Sequence, residues 1–214
     1  MAIEKVIELL EQEYGPTEWH VDRDPIDVLI GTILSQNTSD VNSGRAFASL
    51  KASLHSWEAV ASAPVEYIAQ AIKRGGLSRI KAIRIKQILE QIENEQGRIS
   101  LDSLKSKSVT ETEEYLMRLP GVGHKTARCV LLFSLGKPSL PVDTHVFRVA
   151  KRLRLIDSKT SVEKAPGLLQ EQIPPAKVYQ FHIHMIEHGR RTCRARHPRC
   201  DRCILRGICP SSLC

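Results

Sequence analysis

Apolar residues recur along this chain at intervals of three and four, and no convincing run of period-two alternation marks a strand, so the pattern predicts an all-α protein. Ile3, Val6, Ile7 and Leu10 form one face of an N-terminal helix, and the charges between them break any apolar run long enough for a signal peptide or a membrane span. Asp24-Pro25 reads as an N-cap followed by proline in the first helical position, leading into IDVLIGTIL. Pro64 starts a further helix that Gly75-Gly76 ends. A longer helix covers 80–92, with Ile80, Ile83, Ile85, Ile88, Leu89 and Ile92 as its apolar positions. Thr110 with Glu113 matches a capping box ahead of Tyr115, Leu116 and Leu119. A helix from about His124 should stop at Gly136, and Pro138 and Pro141 bracket an extended connector. Asp143 then caps a helix through Val146, Val149 and Leu153. Pro174-Pro175 precedes a last long helix to about Gly189. No repeat or low-complexity linker divides the chain, and periodicity alone places no domain boundary.

Length and composition narrow this picture only slightly. The 214 residues have room for one large domain or two modest ones, and 42% hydrophobic residues suffice for an ordinary core. The formal charge of +7 suggests a polyanionic partner. Its distribution says more than its size. Between Gly189 and Cys209 stand seven arginines and one acid, Asp201, so this short segment carries +6 by itself. Charge concentrated in this way favours phosphate binding. The composition and the absence of a leader or span lead us to expect a soluble, intracellular protein, in whose reducing environment clustered cysteines hold metal more often than disulfides.

Chemistry enters at LPGVGHK, 119–125. Pro120 ends one helix, and Gly121 and Gly123 permit backbone conformations and a close approach that a side chain would block. The N–H groups at the start of the following helix can then bind a phosphate. A tight helix–helix turn with no ligand explains the same residues, and so does a protein that only holds DNA. Lys125 points further. In the first turn of a helix the positive end of the dipole disfavours a cation, a poor place for stability and a good one for a neutral amine nucleophile. Eighteen residues on, Asp143 has an ordinary reading as an N-cap and a functional one as a fixed anion facing positive charge on a sugar as its base departs. An N-cap aspartate is rigid, so both can hold.

Cys193, Cys200, Cys203 and Cys209 give the spacing C-x₆-C-x₂-C-x₅-C. Four thiolates within seventeen residues suit either a tetrahedral zinc or a [4Fe–4S] cluster, and the spacing leaves both open. Cys129 sits within an apolar helix and reads as core, and Cys214 as a terminal, unstructured residue. His184 and His188 stand four apart near Glu187, but the order HMIEH is not the zinc-protease motif, and structural or DNA-proximal roles fit them better. Leu77, after Gly75-Gly76, either packs in the core or sits exposed at a turn where it could fill a gap in a duplex.

Taken together these residues resemble the endonuclease III branch of the helix–hairpin–helix DNA glycosylases. LPGVGHKTA resembles the family hairpin with its catalytic lysine, PVDTHVFRVAKRL the segment with its catalytic aspartate, and HGRRTCRARHPRCDRC the start of its iron–sulfur module. The resemblance implies a two-lobed fold: a six-helix barrel domain over 23–137 that includes the hairpin, and a helical domain joining 1–22 to 138–214. It implies Lys125 and Asp143 as catalytic residues and a [4Fe–4S] cofactor on the four cysteines. DNA contacts are implied for Gly121, Val122, Gly123, His124, Leu77, Gln36, Asn37, Arg194, Arg196 and Arg199. His124 replaces the usual basic residue. ILSQNTSDV stands where endonuclease III carries LLSAQATDV, so Asn37 takes the place of a gap-filling glutamine, and the Q-N-x-S-D pattern is similar to the plant 5-methylcytosine glycosylases.

The expected activity is excision of damaged, oxidised pyrimidines from duplex DNA, with nicking at abasic sites by β-elimination. The alternatives are a glycosylase of the same fold for a mismatched, alkylated or methylated base, and a DNA-binding iron–sulfur protein without catalysis. The expected partner is double-stranded DNA bearing a damaged base or abasic site, met by a monomer with no membrane attachment in the cytoplasm, at the nucleoid.

Overall fold

A computed structural model describes residues 3–212, so Cys214 lies outside the described residues. In chain order its helices are α1 (Ile3–Tyr14), α2 (Pro25–Ser35), α3 (Asp40–Ser53), α4 (Trp57–Ser62), α5 (Val65–Ala71), α6 (Ser78–Gln96), α7 (Val109–Met117), α8 (His124–Ser134), α9 (Thr144–Arg152), α10 (Ala165–Gln170) and α11 (Val178–Arg191). Short 3₁₀ turns join several of them, and the described residues contain no strand. None of these helices is long and apolar enough to cross a membrane. The chain divides into two compact units, residues 21–137 and residues 1–20 with 138–214.

Unit 21–137 is organised around α2. Ile26, Leu29, Ile30, Ile33 and Leu34 are all buried, so this helix is apolar on most of its circumference and lies against α3, α6 and α8. Asp24 starts it as the sequence predicts, its Oδ1 accepting from the N–H groups of Ile26 (2.8 Å) and Asp27 (3.0 Å) with Pro25 in the first helical position. Truncating any of these side chains to Ala should cost about 2–5 kcal/mol, because closely packed helices cannot collapse onto the void.

Two expectations are corrected here. The capping box of α7 is Ser108 with Glu111, two residues earlier than the Thr110–Glu113 pair. Thr110 lies inside the first turn, and Glu113 instead bonds to the helix that follows the hairpin. On α6 only Ile85, Ile88, Leu89 and Ile92 of the apolar series are buried, while Ile80 and Ile83 are exposed. The place in the core next to α2 goes to the aliphatic stem of Lys81, whose Nζ donates to the carbonyls of Leu34 (2.7 Å) and Gly75 (2.8 Å). Burial lowers the pKa of this amine. Its two bonds fasten the end of α2 and the 73–75 turn to the first turn of α6.

In the second unit α11 is central, packed against α1 and α9. Gly189 makes the α9 contact possible, since a Cβ there would lie 2.9 Å from that of His145. Helix α1 is tied to α11 by Glu11 Oε2, which accepts from Gln180 Nε2 (2.8 Å) and Lys177 Nζ (3.1 Å) and is held below its usual carboxylate range by those bonds. Thr17 and Tyr14 hydrogen-bond His184 and His188 at 3.0 and 3.1 Å. Both histidines are buried in the helix packing, and burial lowers the pKa of each.

Candidate DNA-repair site

Helices α7 and α8 are joined by residues 118–123, and the geometry of this turn decides what α8 can do. Gly121 has φ +73°, and a Cβ there would meet Arg84 Cδ at 2.8 Å, so glycine is required by conformation and by space. Gly123 is different. Its φ of −103° suits any residue, and a Cβ would meet nothing within 4 Å. The protein itself therefore does not require glycine at 123. Val122 belongs to the fold, with its side chain buried and its N–H bonded to Leu119 O at 3.1 Å.

No side chain caps α8. The first-turn N–H groups of a helix have no intrahelical partner, and here nothing from Gly123 satisfies them, so the α8 N-terminus presents open donors at the positive end of its dipole. His124 and Lys125 occupy this turn and are both exposed. Glu113 Oε1 accepts from His124 Nδ1 (3.0 Å) and Arg128 Nε (2.9 Å), which pins α8 to α7. Lys125 takes no hydrogen bond or ion pair among the described residues.

Two loops share this face of the unit. Gln36, at the C-terminal end of α2, donates from Nε2 to Gly121 O (3.1 Å) and reaches Thr126 Oγ1 (3.5 Å), while Arg84 Nη1 approaches its Oε1 at 3.4 Å. Gln36 is thereby tied to the hairpin. Asn37 follows with φ +55°, a left-handed conformation that asparagine tolerates better than most residues. Leu77 also has positive φ, +49°, and is 53% exposed at the start of α6. It is not a core residue. Lys81 and the Gln36 bridge were missed in the sequence, because neither motif nor periodicity marks a residue whose partners are backbone carbonyls.

In the other unit Asp143 caps α9, with Oδ1 accepting from His145 N (2.9 Å) and Val146 N (2.8 Å). Both bonds fall on one oxygen, and the other takes no part in the cap. Beyond α11 the chain turns through two 3₁₀ segments, and Cys193, Cys200, Cys203 and Cys209 line one cavity of about 250 Å³ floored by Leu205, Val149 and His188. Among the described residues no three His, Cys, Asp or Glu side chains close to the spacing of a single metal ion, and the four half-buried thiols form no disulfide. A cavity of this volume, walled by four thiols, fits a cluster of several atoms better than one ion. Burial raises the Cys203 thiol to about 11 and also raises that of Cys209, so without a metal to displace the protons these groups stay as thiols. Cys129 is buried in α8, away from this group in sequence and in the other unit.

Two arginines of α9, one turn apart, fasten the cysteine loop. Arg148 donates from Nε to Cys193 O (3.1 Å) and from Nη2 to Gly189 O (2.8 Å). Arg152 donates from Nη1 to Cys193 Sγ (3.2 Å) and Arg194 O (2.7 Å), and from Nη2 to Ala195 O (3.1 Å). Their spacing of four on one helix face is legible in the sequence, although what they hold is not. Arg194, Arg196 and Arg199 are exposed on the loop itself.

An all-helical scaffold with an uncapped, glycine-turned helix hairpin and a fourfold cysteine loop defines a helix–hairpin–helix protein of DNA repair. The chain belongs to the HhH-GPD superfamily of base excision DNA repair proteins, whose model matches residues 30–175. It is 36% identical over 190 residues to endonuclease III of Thermotoga maritima, covering 89% of this chain and 84% of that protein. To endonuclease III of Escherichia coli it is 34% identical, over 97% and 93% of the two chains. A putative DNA glycosylase of Arabidopsis thaliana is 41% identical over 77% of the chain, which spans 56% of that longer protein. Among solved structures, a trapped endonuclease III–DNA covalent intermediate superposes with a TM-score of 0.84 at 29% identity, covering 98% of this chain and 95% of the other. A non-covalent endonuclease III–DNA complex matches equally well, with a TM-score of 0.84.

Proposed function

We propose that the protein is a DNA glycosylase with abasic-site lyase activity, removing damaged, oxidised pyrimidines from duplex DNA. The observation that carries this reading is Lys125, an exposed amine without a structural partner in the first turn of a helix whose N-terminal amides are left open. A phosphate bound at those amides would bring the DNA backbone to Lys125, and the bare backbone at Gly123 leaves room for that approach.

The glycosidic bond is inaccessible in the stack, so the target nucleotide is first flipped out, with Leu77 and Asn37 filling the space it leaves. The Lys125 amine bonds to C1′ while the C1′–base bond breaks, its electron pair leaving with the base. The Asp143 carboxylate, held rigid by its cap, offsets positive charge developing on the sugar. Opening of the sugar ring gives a Schiff base, and loss of a C2′ proton then expels the 3′ phosphate. Arg194, Arg196 and Arg199 supply phosphate contacts. Cys193, Cys200, Cys203 and Cys209 would hold a [4Fe–4S] cluster, which keeps their loop folded so that these arginines are presented.

Borohydride trapping on an abasic-site duplex tests the lyase. A covalent adduct lost in Lys125→Gln is expected, whereas DNA binding without any adduct would favour a non-catalytic DNA-binding protein. A panel of lesion duplexes tests the base. Failure to cleave at thymine glycol or 5-hydroxycytosine would move the activity to a mismatched, alkylated or methylated base.

A further inference from the structure

We propose that Tyr14 and His188 form a hydrogen-bonded relay onto the Cys203 sulfur that sets the reduction potential of the cluster, an inference resting on the proposed iron–sulfur reading of the four cysteines. The His188 ring is 1% exposed and lies between two partners, Tyr14 Oη at 3.1 Å from Nδ1 and Cys203 Sγ at 3.6 Å from Nε2. Once Cys203 ligates iron it is a thiolate and can only accept. The proton must then sit on Nε2, and Nδ1 must accept from the Tyr14 hydroxyl. The polarity of the relay is thereby fixed, running from Tyr14 through His188 to the sulfur.

An N–H donated to a ligand sulfur draws electron density from it and stabilises the more negative, reduced cluster. Burial keeps water from competing for either nitrogen. Arg152 also donates to a ligand sulfur, that of Cys193, but its guanidinium bonds three backbone carbonyls of the loop as well, so its removal would unfasten the loop. His188 separates the two tasks. Its carbonyl accepts from the N–H groups of Thr192 (2.9 Å) and Cys193 (2.8 Å) and holds the loop whatever the side chain, which leaves the ring as a group acting on the sulfur.

The full-length holoprotein, purified without oxygen as wild type, His188→Phe, His188→Gln and Tyr14→Phe, tests this by iron and sulfide content, visible absorption and a midpoint potential from an EPR-monitored redox titration. The expected result is a full cluster with a more negative potential in His188→Phe, a smaller shift of the same sign in Tyr14→Phe, and return toward wild type in His188→Gln, whose amide N–H restores a donor. Equal potentials in wild type and His188→Phe, both with intact clusters, would overturn the relay and leave the cluster reading standing. Should His188→Phe lose its cluster, Tyr14→Phe decides, and an unshifted potential there overturns the proposal. Wild-type protein with zinc and no iron would instead overturn the cluster reading itself.

Discussion

Helices α8 and α9 begin in opposite ways. At α9 the Asp143 carboxylate occupies the first-turn amides, so the helix start is closed and the aspartate immobile. At α8 the N-cap is Gly123, nothing fills the amides, and the residues above them are exposed. A helix in water is more stable when capped, by about 0.5–2 kcal/mol. The open start of α8 therefore gives up stability, and its donors remain available to an anion from outside. Where the protein supplies its own anion it gains a fixed charge, and where it withholds one the amides stay open.

Substitutions can break this contrast at each end. Lys125→Gln should lower strand cleavage by on the order of 10³-fold or more and abolish the borohydride adduct, while thermal stability changes by no more than about 0.5 kcal/mol for an exposed, unpartnered side chain. Equal loss of duplex binding in that variant would mean the lysine serves only to grip phosphate. Asp143→Asn retains an equally good cap and should leave the melting temperature unchanged, yet slow base excision by about 10²–10³-fold, measured in single turnover. A normal rate would reduce Asp143 to its cap. Gly121→Ala, with a strained φ and an arginine at 2.8 Å, should cost about 1–3 kcal/mol by denaturant unfolding. Comparing Asp143→Ala with Asp143→Asn isolates the cap itself, worth about 1 kcal/mol. Gly123→Ala should be smallest in stability, within about 0.5 kcal/mol, while weakening duplex binding if the proposed phosphate contact at this turn is made, because the added methyl would stand in its way.

The sequence is most legible where one residue does one local thing. Asp24, Pro25 and Asp143 act on amides two or three residues away, and their helices start where the caps place them. Helix α3 leaves no apolar stripe in the sequence, because its buried residues are Ser43, Ala46 and Leu50, too small and too polar to form one. The Thr110–Glu113 pair fits the same pattern as Ser108–Glu111, but Ser108 and Glu111 make the reciprocal bonds while Glu113 turns to His124 and Arg128. Ile80 and Ile83 fit the helical period, yet Lys81 goes inside because two carbonyls, from Leu34 and Gly75, need its protons. The cysteines could be grouped by spacing alone, but His188 and Tyr14 lie 174 residues apart and meet only in three dimensions.

The unit that carries the cysteines is assembled from both ends of the chain, residues 1–20 and 138–214, with 21–137 as an insertion. On the ribosome α1 emerges before α11, so Tyr14 waits through 174 further residues before its partner His188 exists. The intervening unit holds its own core around α2 and can close in the meantime, replacing a long floppy loop by a folded one and easing the entropy of joining the two ends. Synthesis order thus lets the cysteine loop, which follows α11, meet α1 only after the intervening unit has been made.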